Sequence, residues 1–66
     1  MNNTIKIQRA INRLTQEELA KRVSVSRQTI NAMEANKYAP SVVLALKIAR
    51  VFSKSVEEIF FLEEED

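Results

Sequence analysis

Two amphipathic stretches, Gln16 to Val23 and Arg27 to Ala35, are separated by only about three residues, and a link that short forces two helices into a steep crossing. The crossing makes demands on both partners. The first helix needs a small residue at the point of closest approach, which Ala20 supplies. The angle needs apolar residues that wedge it open from inside, and Val23, Val25, Ile30 and Met33 supply those. Any one of these residues would mean little; their joint spacing is the signal.

Glycine is absent and Pro40 is the single proline, so helix boundaries must be read from capping residues. Thr15-Gln16-Glu17-Glu18 and Ser55-Val56-Glu57-Glu58 both fit the capping box, and Ser26 and Ser41 each stand immediately before a periodic run. These signals predict five helices, at residues 4–13, 16–23, 27–35, 42–52 and 56–61. Each carries an apolar stripe at helical spacing: Ile7, Ile11 and Leu14; Leu19, Ala20 and Val23; Ile30 and Met33; Val42, Ala45, Leu46, Ala49 and Phe52; Ile59 and Phe60. With Val25 and Val56 they can form one core. The expected fold class is all-α, a compact five-helix domain over residues 1–66 in which 62–66 form an acidic C-terminal tail. Only Phe61 to Glu63 hints at strand-like alternation.

A chain of 66 residues buries about 60% of its unfolded surface, so its stability is marginal and a partner subunit would help. The lack of cysteine and histidine removes disulfides, thiolate nucleophiles and the usual zinc and iron ligands, and no metal or cofactor is expected. No paired carboxylates sit in a plausible cleft and no glycine-rich phosphate loop occurs, which argues against an enzyme and leaves no evident small-molecule ligand. No apolar run approaches the roughly 20 residues of a membrane span, and Met1-Asn2-Asn3-Thr4 lacks the features of a signal peptide, so a cytoplasmic location is expected.

The net charge of +1 hides an asymmetry. Residues 1–54 carry all ten Lys and Arg against three Glu, a balance of +7, while residues 55–66 carry six acids and no base. A basic body with an acidic end can steer one face toward a polyanion; it can equally be a solvated surface with an acidic solubility tail.

At about 100° per residue, Arg27, Asn31, Ala35, Gln28 and Ala32 share one side of the third helix, whereas Ile30 and Met33 lie on the other. Arg suits guanine O6 and N7, and Gln or Asn suits adenine N6 and N7, each good pair discriminating by roughly 1–3 kcal/mol. Small Ala32 and Ala35 let such a helix sit deep in a major groove. The same residues also make an ordinary solvated face, and the preceding tight turn is what favours DNA.

The segments Leu14-Thr15-Gln16-Glu17-Glu18-Leu19-Ala20, Val25-Ser26-Arg27-Gln28-Thr29-Ile30, Lys37-Tyr38 with Pro40-Ser41, and Leu44-Ala45-Leu46-Lys47-Ile48-Ala49 resemble the Cro/C1-type helix-turn-helix family of phage repressors and of bacterial and archaeal regulators. The resemblance runs from Ile5 to about Phe60. It implies a phage-repressor-like fold whose third helix enters the major groove of double-stranded DNA while the second lies across the backbone. By position it implies that Arg27, Gln28 and Asn31 read bases. Gln16 is implied to bind phosphate at a helix N-terminus, and Ser26 to bind phosphate or serve as a cap alone. Lys37 and Tyr38 are implied to grip phosphates, the alternatives being a solvated lysine and a ring packed on the core. Arg9 and Glu34 are implied to form an ion pair between the first and third helices.

The chain departs from the family where relatives often have glycine, at Arg13, Ser24, Asn36 and Ser53 or Lys54. Either those turns avoid positive φ or they accept strain. Gln8 stands where relatives commonly bury a leucine, and Ile7 and Ile11 are candidates to compensate.

A single short helix makes too few base contacts to outcompete bulk DNA, which points to a homodimer on two half-sites about 34 Å apart. Phe60, Phe61 and Leu62 are the candidate dimer interface, or else they fold back on the chain's own core, Phe60 above all. The expected function is a transcription regulator, a repressor that occupies a palindromic operator. The rival is an antitoxin-like interaction module whose C-terminal end caps a partner protein.

Overall fold

A computed structural model describes residues Met1–Asp66. In chain order its elements are β1 (Asn2–Asn3), α1 (Ile5–Asn12), α2 (Gln16–Arg22), α3 (Arg27–Glu34), α4 (Val42–Phe52), α5 (Val56–Ile59) and β2 (Phe60–Phe61). Five helices make up the body, and α2, α3, α4 and α5 each begin at a capping residue. Thr15 Oγ1 accepts from the Glu18 N–H at 3.0 Å while Glu18 Oε1 accepts from the Thr15 N–H at 2.9 Å, which closes the capping box of α2. Ser26 and Ser41 accept from the N–H groups of Thr29 and Leu44, both at 3.2 Å, and start α3 and α4. At α5 the Ser55 N–H donates to Glu58 Oε1 at 3.0 Å.

The chain ends pair with each other. β1 and β2 run antiparallel, with Asn2 opposite Phe61 and Asn3 opposite Phe60, so α5 stops at Ile59 rather than reaching Phe61. An extended Phe60 turns its ring inward and leaves its neighbour outside, as strand alternation requires. The terminal amine of Met1 lies 2.9 Å from Asp66 Oδ2 and 3.9 Å from Glu63 Oε2, which draws the acidic end onto the N-terminus.

The core unites Leu14, Leu19, Ala20, Val23, Ile30, Met33, Ala45, Ala49, Phe52, Ile59 and Phe60, with Val25 and Val56 partly buried against it. Two stripes are rotated from the expected phase. On α1 the buried residue is Ile5, and Ile7 and Ile11 are 59% and 68% exposed. Arg9 faces α3, and Ile7 and Ile11 each stand about 160° from Arg9 on the helix, so they cannot share its face. They therefore do not compensate for Gln8, which is itself half-buried. On α4, Leu44 and Ile48 are buried while Val42 and Leu46 are exposed. Nearly all of α4 is apolar, and its phase is set by Lys47 and Arg50; Leu46 stands only about 40° from Arg50 and goes outward with it.

Four residues with a Cβ hold left-handed backbone: Arg13 (φ 56°), Ser24 (φ 61°), Asn36 (φ 59°) and Ser53 (φ 53°). Each follows a helix, and the next N–H closes the motif, as when Leu14 donates to Arg9 O at 2.9 Å and Val25 to Ala20 O at 3.0 Å. The turns therefore accept the strain that glycine would avoid.

Candidate nucleic-acid interface

The crossing of α2 and α3 is built by the residues that the turn demanded. Ala20 is buried at the crossing's base, Val23, Ile30 and Met33 are fully buried, and Ser24 makes the sharp reversal between them. With Ile30 and Met33 held inside, Arg27, Gln28 and Asn31 of α3 are exposed. Ala35 is exposed and Ala32 half-buried between them, so the outer face of α3 is long polar groups over a low apolar floor. Ser26, at the head of the helix, caps Thr29 and also lies 3.0 Å from the Thr29 hydroxyl. Lys37 and Tyr38 are both exposed in the loop that leaves α3.

Behind this face Arg9 and Glu34 meet as a forked pair. Arg9 Nε donates to Glu34 Oε2 at 2.6 Å and its Nη2 donates to Oε1 at 3.0 Å, while Nη1 donates to Leu14 O at 2.9 Å. The side chains are 16% and 7% exposed. Burial by itself would raise the Glu34 carboxyl, but hydrogen bonds from Arg9 and Gln16 and the charges of Arg9 and Lys6 outweigh it and hold the group below the ordinary glutamate range. The Glu34 hydrogen bond raises Arg9 further against a smaller cost of burial. Both groups stay charged at neutral pH.

Gln16 opens α2 and reaches across to α3, where its amide nitrogen donates to Glu34 Oε1 at 3.1 Å and to Asn31 Oδ1 at 3.3 Å. An open concavity of about 280 Å³ lies here, lined by Lys6, Arg9, Gln16, Asn31, Glu34 and Ala35. Phosphate-binding and base-reading candidates thus meet at one place. Sequence reasoning missed Lys6, although its spacing of three from Arg9 puts both on one side of α1. It also missed Asn3, whose side-chain amide reaches the end of α3; no local pattern could have shown a contact across that much chain.

At the far end of the chain, Phe60 is buried in the core, and Phe61 and Leu62 are 41% and 81% exposed. Among the dimer candidates these two alone are free to meet a second surface. No helix is long and apolar enough to cross a membrane.

A helix-turn-helix family model matches residues 5–59. An uncharacterized HTH-type transcriptional regulator of Methanocaldococcus jannaschii is 52% identical over 66 residues, the whole of both chains. Another from Archaeoglobus fulgidus is 54% identical over all of this chain and 93% of its own length. The regulator YgzD of Bacillus subtilis is 47% identical over the full length of both.

Proposed function

Since the chain belongs to the Cro/C1-type helix-turn-helix family, we propose that it is a sequence-specific, double-stranded-DNA-binding transcription regulator, acting in the cytoplasm as a homodimeric repressor on a palindromic operator. The observation that carries this reading is the exposure of Arg27, Gln28 and Asn31 on one face of α3 while Ile30 and Met33 lock the opposite face into the core. Such a helix can enter a major groove with its first turn against base edges.

Within this reading Arg27, Gln28 and Asn31 contact bases. Gln16, Ser26, Lys37 and Tyr38 contact phosphates, and Lys6, on the same concavity as Gln16, adds a cation to that set. Arg9 and Glu34 carry opposite charges into each other and so keep a carboxylate from facing the DNA backbone unpaired. Phe61 and Leu62 join two copies, and a dimer on two half-sites doubles the base contacts that one short helix can offer. Occupancy of an operator overlapping a promoter then excludes polymerase.

The test is duplex binding measured against salt. A linear fall of log affinity with log salt, at a slope near −0.9 per phosphate contacted, is the expected result. An affinity insensitive to salt would instead favour a module that binds protein.

A further inference from the structure

The groups at the concavity form a directional chain. A carboxylate only accepts hydrogen bonds, so the atom that Gln16 turns toward Glu34 must be its amide nitrogen, as the 3.1 Å contact to Oε1 has it. That nitrogen has two hydrogens. The second is directed at Asn31, which must present an acceptor there, and Oδ1 stands 3.3 Å away. Oxygen and nitrogen diverge from one carbon in an amide. With its oxygen turned to Gln16, exposed Asn31 has its NH2 group directed away from Gln16.

We propose that Glu34 is a positioning residue for base recognition: through Gln16 it fixes the orientation of the Asn31 amide, so that Asn31 offers N–H donors to the groove and selects guanine, with its O6 and N7 acceptors, at the base pair beneath it. The proposal rests on the reading of Asn31 as a base contact. An unrestrained asparagine pairs with adenine by donating to N7 and accepting from N6. Here the oxygen that would accept from N6 is turned toward Gln16, away from the position an adenine would need it in. Arg9 holds the start of the chain in place, since its forked contact leaves the Glu34 carboxylate one orientation. Because both Gln16 side-chain hydrogens are committed, a phosphate contact made by this residue runs through its backbone N–H.

The experiment is selection of bound sites from a random duplex pool by the full chain and by the variants Asn31→Ala, Gln16→Met and Glu34→Gln, each checked for a cooperative thermal transition. Asn31→Ala identifies the base pair that Asn31 reads. At that position the parent chain should prefer guanine over adenine by about fivefold or more, the lower end of what one good base contact discriminates. Gln16→Met and Glu34→Gln should both reduce the preference to about twofold or less, while positions read by Arg27 and Gln28 keep theirs, a pattern that general loss of fold does not produce. If Glu34→Gln fails to fold, Gln16→Met decides, because it leaves the Arg9–Glu34 pair intact. Adenine at the Asn31 position in the parent, or guanine undiminished in the folded variants, overturns the relay while leaving Asn31 a base reader. An Asn31→Ala variant with an unchanged site overturns both.

Discussion

Asn3 donates from its side-chain amide to the backbone oxygen of Met33 at 2.8 Å, which ties the first strand to the last turn of α3. Its Oδ1 accepts from the Ile5 N–H at 3.1 Å, so one side chain serves the beginning of α1 and the end of α3. Replacing Asn3 by Ala removes both bonds, and because Met33 O keeps the Asn36 N–H at 3.0 Å the loss should be about 1 kcal/mol, read as a fall in thermal midpoint of several degrees. An unchanged midpoint would show that water replaces the contact at no cost.

The Arg9–Glu34 pair should behave as a unit. Arg9→Met alone strands a carboxylate whose side chain is 7% exposed and should cost about 3 kcal/mol, whereas the double replacement Arg9→Met with Glu34→Leu should recover most of that loss. Denaturant melts of the two single variants and the double variant test this as a cycle; simple additivity would disprove the coupling.

The same carboxyl predicts a response to acid. A glutamate held below its ordinary value in the folded chain adds stability above that value, and the contribution is lost as pH falls through the folded one. Stability should therefore decline from the ordinary glutamate value of 4.5 downward, and Glu34→Gln should flatten that decline. Denaturant midpoints between about pH 6 and pH 3 check it, and parallel curves for both chains would refute the assignment.

Base and phosphate contacts should separate by mutation. Arg27→Ala or Gln28→Ala should relax preference at particular base pairs by about 1–3 kcal/mol, and Lys37→Ala or Lys6→Ala should weaken all duplexes alike and reduce the salt slope by about 0.9. Equal weakening of every sequence by Arg27→Ala would remove it from the base-reading set.

Neighbouring aromatic residues should report different properties. Phe60→Ala opens the core and should destabilise by about 3–5 kcal/mol. Phe61→Ser with Leu62→Ser should instead shift sedimentation from dimer to monomer with a small effect on folding of the chain. A parent chain that sediments as a monomer would overturn the proposed dimer, and a dimeric variant would overturn the assignment of Phe61 and Leu62 to its surface.

The left-handed turns offer a stability test of their own. Ser24→Gly and Ser53→Gly should each stabilise by about 0.5–1 kcal/mol, because glycine enters positive φ without the steric cost of a Cβ and returns only part of that gain as lost entropy. Thermal melts of the two variants and their combination should show additive gains.

Sequence by itself determined what depends on residues within about four positions of one another: the number of helices, the caps at Thr15, Ser26 and Ser41, the steep α2–α3 crossing, and the division of α3 into a buried and a polar side. Tertiary structure decided the rotation of α1 and the pairing of the chain ends. Ile7 and Ile11 form as regular a stripe as Ile5 with Arg9 does, and only the partner waiting on α3 selects between them. Likewise nothing local in Phe60-Phe61 distinguishes a last helical turn from a strand until Asn2 and Asn3 lie alongside. Hydrogen bonds such as Thr4 N–H to Ile59 O, at 2.8 Å, join residues far apart in the chain, and their energy is available only once the helices between them have already packed.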